Sequence, residues 1–126
     1  MLGIQDAAHA ESNPQAPRPL IGRLSCSLVG QRETIDVKPG TLVHRIYGQA
    51  QVVETYACSY GLNPEYRERI GRGMLQVVGR NAEGAVRAVE LASHRFFIAS
   101  LFLPQASSTP EEPHPLIEAY LRAATI

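Results

Sequence analysis

No sign of charge dominates this chain. Twelve Lys and Arg are matched by twelve Asp and Glu, for a formal net charge of zero. Without an excess of positive charge it lacks the electrostatic footprint on which nucleic-acid binding and polybasic membrane binding rest. Cysteine is scarce too: Cys26 and Cys58 stand alone, without a CxxC spacing. That excludes a disulfide framework and points to reduced thiols. No apolar run approaches the roughly 18 residues of a membrane span. Met1-Leu2-Gly3-Ile4-Gln5-Asp6 lacks the basic start and apolar core of a signal peptide, so the expected compartment is the cytoplasm. The four histidines show no i, i+4 pair, which leaves no metal signature, and no cofactor is expected. Ser25 and Ser27 sit in no Gly-x-Ser-x-Gly elbow. Gly71-Arg72-Gly73 follows a helical pattern instead of a strand, the wrong context for holding phosphate. No internal repeat or low-complexity tract is present.

What remains is an ordinary globular composition over 126 residues, enough for one domain with a modest core. Its longest near-continuous apolar run is Phe96 to Gln105, closed by Pro104. Apolarity without alternation predicts a strand buried on both faces at the centre of a sheet. Ligands of open α/β sheets sit at the carboxyl ends of such strands, which makes Leu103-Pro104-Gln105 the expected site, although it holds no acid, base or nucleophile. Residues 1–19, with three prolines, read as an N-terminal arm or loop, and 20–126 as the α/β domain. Gly22–Val29 and Arg32–Val37 alternate around Gly30-Gln31 and predict a hairpin. Thr41 caps a short helix that Gly48 ends. Gln51 to Tyr60 alternates again as one strand. Asn63-Pro64-Glu65 opens a second helix, which Gly71 or Gly73 stops. Met74–Arg80 and Ala85–Leu91 flank the turn Asn81-Ala82-Glu83-Gly84. A final helix from Pro115 places Leu116, Ile117, Tyr120, Leu121 and Ala124 on one stripe.

The strand Gln51–Tyr60 carries the candidate chemistry, because Glu54, Tyr56, Cys58 and Tyr60 fall on one face. Acid, phenol and thiol together describe a pocket wall. A half-exposed sheet face with an inert cysteine is the commoner outcome of such a pattern. His44 and His94 lie among arginines, as surface histidines do, and His114 before Pro115 fits a helix cap.

Several stretches together resemble the C-terminal glutamine amidotransferase domain of CTP synthase. They are Lys38-Pro39-Gly40-Thr41-Leu42, Ile46-Tyr47-Gly48, Asn63-Pro64-Glu65-Tyr66-Arg67-Glu68-Arg69, His94 to Ala99, Pro113-His114-Pro115-Leu116 and Leu121-Arg122-Ala123-Ala124. Leu24 to Gly30 and Tyr60 to Pro64 resemble more closely still the CTP synthase C-terminal region-related proteins. The resemblance implies the back part of a flavodoxin-like class I amidotransferase domain, a mixed sheet with antiparallel hairpins. Such domains use a Cys-His-Glu triad. The nucleophile elbow would lie upstream of Met1. The family's Phe-His-Pro-Glu motif aligns with Phe102-Leu103-Pro104-Gln105, and Leu103 and Gln105 cannot accept a proton near neutral pH. The arginine that holds the substrate carboxylate aligns with Ser59. The resemblance therefore implies a module that is not a glutaminase. It would act by binding a small molecule or partner, with Tyr60, Leu103 and Gln105 lining the old pocket. The alternative is an enzyme of small-molecule metabolism that uses Cys58, Glu54 and Tyr56 in that pocket. A sheet without its front strands exposes an edge, so a homodimer or a separately encoded front-half chain is expected as partner.

Overall fold

The hairpin around Asn81 is the frame on which the rest is hung. In the computed structural model, which describes residues 2–125, Leu75–Arg80 and Val86–Leu91 pair antiparallel. We number the strands β1 (Ile21–Arg23), β2 (Arg32–Val37), β3 (Gln51–Thr55), β4 (Tyr60–Leu62), β5 (Leu75–Arg80), β6 (Val86–Leu91) and β7 (Ile98–Ser100). The helices are α1 (Leu42–Tyr47), α2 (Arg67–Arg72) and α3 (Pro115–Ala124). Five strands form one sheet in the order β3-β2-β5-β6-β7, and β1 and β4 form a separate ribbon. Every strand pairing is antiparallel. The core lies on one face of the large sheet. There Ile35, Val37, Val78 and Ala88 meet Val43 of α1, Leu116 of α3, Tyr56 and Phe102. Gly79 sits at a register shift between β5 and β6, and a Cβ there would meet Ile35 at 3.0 Å and Ala88 at 3.1 Å. A side chain would have to push two core residues apart.

Local chemistry explains the helix ends. Thr41 Oγ1 accepts from the His44 amide at 3.1 Å, and Gly48 closes α1 in the left-handed region at φ 68°. Glu90, buried on β6, accepts from the amides of Leu42 and Val43 at 3.1 and 3.0 Å and completes that cap. Asn63 caps a 3-10 turn at Pro64–Tyr66 that runs into α2. His114 caps α3 as expected: its Nδ1 accepts from the Leu116 amide at 3.1 Å.

Longer-range expectations fare differently. Gly30 does make a turn, but β2 does not fold back on Gly22–Val29. It pairs with β3 instead, with Glu33 opposite Glu54 and Ile35 opposite Val52. The inward faces of those two strands match, whereas Ser25, Cys26 and Ser27 are exposed and offer β2 nothing to pack on. Gln51–Tyr60 is not one strand either. β3 ends at Thr55, and the chain crosses to β4 while loop residues keep its backbone bonded, as in Leu28 N–H to Cys58 O at 3.0 Å.

The run from Phe96 is not central. Its only strand, β7, is three residues long and forms the sheet's edge. The apolarity of the run serves other contacts. Phe102 is 2% exposed against Tyr56, and the Phe96 ring stands 5.7 Å from that of Tyr120. Of the α3 stripe only Leu116 is buried, with Tyr120 and Leu121 more than half exposed. Residues before β1 are held down, with the Ala10 amide bonded to Ile21 O and the Leu20 amide to Ala8 O.

Candidate functional site

The sheet register decides which polar groups meet. Glu33 and Glu54 are direct cross-strand partners, so both carboxylates lie on the core face. Their surroundings differ. Arg87 of β6 donates from Nε to Glu33 Oε1 at 2.9 Å and from Nη2 to Oε2 at 3.4 Å, and Asn81 Nδ2 donates to Oε2 at 3.1 Å. Burial alone would raise the Glu33 carboxyl, but the bonds from Arg87 and Asn81 outweigh it and hold the group below its ordinary value. The same pairing holds Arg87 above its ordinary value against the opposing pull of burial. The guanidinium also lies over the Tyr56 ring, 5.7 Å from its centroid.

Among the described residues Glu54 meets no arginine or lysine; its donors are an imidazole and a phenol. His114 Nε2 donates to Oε1 at 2.7 Å, and the Tyr47 hydroxyl donates to the same oxygen. Because His114 Nδ1 is an acceptor for Leu116, the donor proton on the ring belongs to Nε2. The Tyr47 and His114 rings meet edge-on at 5.8 Å. Burial, then Glu54, raise the Tyr47 phenol far above its ordinary value, so it stays a donor. Glu54 Oε2 is buried and has no partner among the described residues; the same is true of the Tyr56 hydroxyl. Burial and the neighbouring Glu33 carboxylate also raise Tyr56. A groove of about 610 Å³ opens over Glu54, with Tyr47, Gln49, Ser107, Glu112 and His114 among its walls.

The face expected as a pocket wall is thus mainly core. Tyr56 is 1% exposed and Glu54 3%. Cys58 is half-buried, with Sγ 3.4 Å from the Tyr60 carbonyl. Tyr60 opens β4 with its ring 5.5 Å from that of His9. Leu103 is half-buried and its amide donates to Thr55 O at 2.9 Å, so the Leu103–Gln105 turn abuts the end of β3 one residue beyond Glu54. Gln105 is exposed. The structure therefore places Glu54, Tyr56 and the Leu103 turn side by side, and puts Tyr60 on the separate ribbon. His94 is exposed, and His44 lies on α1. A larger groove of about 830 Å³ opens on the Glu33–Arg87 pair, with Arg23, Cys26 and Arg67 also on its walls.

Sequence reasoning missed the partners His114 and Arg87. Alternation had grouped Glu54 with Tyr56, Cys58 and Tyr60 on one strand face, and a carboxylate buried on such a face demands donors. That was the available signal. Among the described residues no group of three or more His, Cys, Asp or Glu is placed to hold a metal, and no helix is long and apolar enough to cross a membrane.

This fold is that of a glutamine amidotransferase-like domain. It matches the glutaminase domain of Trypanosoma brucei CTPS, solved with bound acivicin, at a TM-score of 0.87 and 25% identity, over 98% of this chain and 52% of that one. The kinship is to CTP synthases in particular. The chain is 34% identical over 134 aligned positions to the CTP synthase of Sulfurisphaera tokodaii, and 32% over 134 to that of Flavobacterium johnsoniae. Each alignment takes in 98% of this chain and 25% of the relative. The chain therefore spans about a quarter of the length of the curated relatives it matches. No family model matches it.

Proposed function

We propose that this is a catalytically degenerate amidotransferase-like module that acts by binding, not by hydrolysing glutamine. The observation that carries the reading is the turn after β7. Where the family motif has a general base and the acid that orients it, this chain has Leu103 and Gln105. A leucine has no atom to take a proton from a thiol, and an exposed amide cannot orient what is not there. The burial of Glu54 and Tyr56 supports the same reading, because neither offers an open face on which a replacement nucleophile or base would work. The open outer edge of β7 supports the partner-binding form.

The test is ammonia release from glutamine by the purified chain, with 6-diazo-5-oxonorleucine labelling read by mass spectrometry. Expected are no release above buffer and no adduct on Cys26 or Cys58. Reagent-sensitive release would overturn the reading. Light scattering of the same sample over a concentration series addresses the edge: self-pairing predicts a dimer, and a monomer throughout removes it.

A further inference from the structure

The outer edge of β7 has backbone groups with nothing to bond to. The Leu101 amide donates to Arg87 O at 2.9 Å and the Leu91 amide to Phe97 O at 3.1 Å, with Ala99 opposite Val89 between them. The backbone groups of Phe97, Ala99 and Leu101 therefore face β6, and those of Ile98 and Ser100 face away from the sheet. Among the described residues no partner reaches them. β7 is short, but it has no charge, no proline and no register shift against β6, the other devices that blunt an edge. The opposite edge of the sheet differs. β3 carries Glu54, and its Thr55 carbonyl is taken by the Leu103 amide. Apolar surface flanks β7 as well. A groove of about 230 Å³ lies toward α3, with Ile98, Ile117 and Tyr120 among its walls. Another of about 180 Å³ lies toward α2 and the ribbon, with Ile70, Leu62 and Ala99.

We propose that this edge pairs with the same edge of a second copy of the chain, antiparallel about Ala99, and joins the two five-stranded sheets into one. In that register Ile98 exchanges both its backbone bonds with the partner's Ser100, and Ser100 with the partner's Ile98. Every outward group of β7 is then satisfied. The charges permit it: no charged residue occurs from Phe96 to Ala106, so the two edges meet without like-charge repulsion. A few backbone bonds are too small a contact for a stable dimer. The two grooves, with exposed Phe97 and Tyr120, supply the apolar area that such a dimer needs. The inference rests on the partner-binding form of the reading above and names the partner and the register.

The test is sedimentation equilibrium of the full chain and three variants, with circular dichroism as the check on folding. Ser100→Pro removes an amide that points out of the sheet, so the bonds to β6 survive and those to the partner do not. Ala99→Lys and Ala99→Glu each place a charge opposite itself across the two-fold. Expected are a wild-type dimer, dissociation made easier by roughly tenfold or more in each variant, and recovery of the dimer when the Lys and Glu variants are mixed. A wild-type monomer at every concentration would overturn the proposal. So would a folded S100P that dimerises undiminished, which would put the interface elsewhere. If S100P does not fold, the mixing experiment decides, with failure to recover the dimer sinking the register. Failure here leaves the degenerate-module reading intact, and glutamine turnover in the assay above would sink that reading without touching this edge.

Discussion

Glu33 and Glu54 are the same residue type, directly opposite each other on neighbouring strands, yet they sit in opposite electrostatic situations. Glu33 has a guanidinium on both oxygens and an amide besides. Glu54 has a phenol and an imidazole on one oxygen and, among the described residues, no partner on the other. A fully compensated carboxylate is a structural device, since its partners are consumed in holding it. A half-compensated one keeps an unmet demand inside the core. The Leu103–Gln105 turn is the third case. It abuts the end of β3 beside Glu54, and it has no charge to compensate.

The largest blow to the contrast is Arg87→Met. Removing the cation leaves Glu33 with Asn81 alone, and the expected loss is about 3 kcal/mol of unfolding free energy by urea titration. Replacing Glu33 by Leu in the same chain should recover most of it, because the cost comes from the stranded charge. A double variant as unstable as the single would mean that Arg87 matters through packing over Tyr56.

His114→Ala comes next, at about 2 kcal/mol, because it removes both the α3 cap and a bond to Glu54. His114→Asn keeps a side-chain acceptor for the Leu116 amide but is too short for Glu54. It should cost about half as much, and the difference between the two variants apportions the loss between cap and network. Equal losses would assign all of it to Glu54.

The smallest effect is on pH dependence. Glu33 is depressed in the folded state, so its contribution is present in full above the unfolded carboxyl value and disappears as pH falls through the lower folded value. Wild-type stability should therefore fall on acidification in that window, and E33Q should flatten the acid limb of the curve. An unchanged limb in E33Q would show that other carboxylates govern it.

Much of the local structure was legible. The Thr41 and Gly48 ends of α1, the Asn63-Pro64 start, the turn at Asn81 to Gly84 and the His114-Pro115 cap were all readable, because each is decided by side chains within four residues of the backbone they satisfy. The amidotransferase resemblance was readable as well, since order and spacing along the chain carry it. The pairing of β2 was not. Two alternating segments beside a glycine turn satisfy the hairpin rule, and only the distant inward face of β3 made a better match. Nor was the position of the Phe96 run. Apolarity reports that a segment is covered, not whether strands or a helix and an aromatic ring cover it.

By itself, then, the sequence determined the helix ends, the turns, the likeness to the CTP synthase amidotransferase region, and a Leu103–Gln105 turn that carries no acid or base. The tertiary structure alone decided which charges meet. Glu33 is 54 residues from Arg87, and Glu54 is 60 from His114. Contacts at that separation are set by sheet register and by where α3 docks. Propensity and capping act over a few residues and are silent about both.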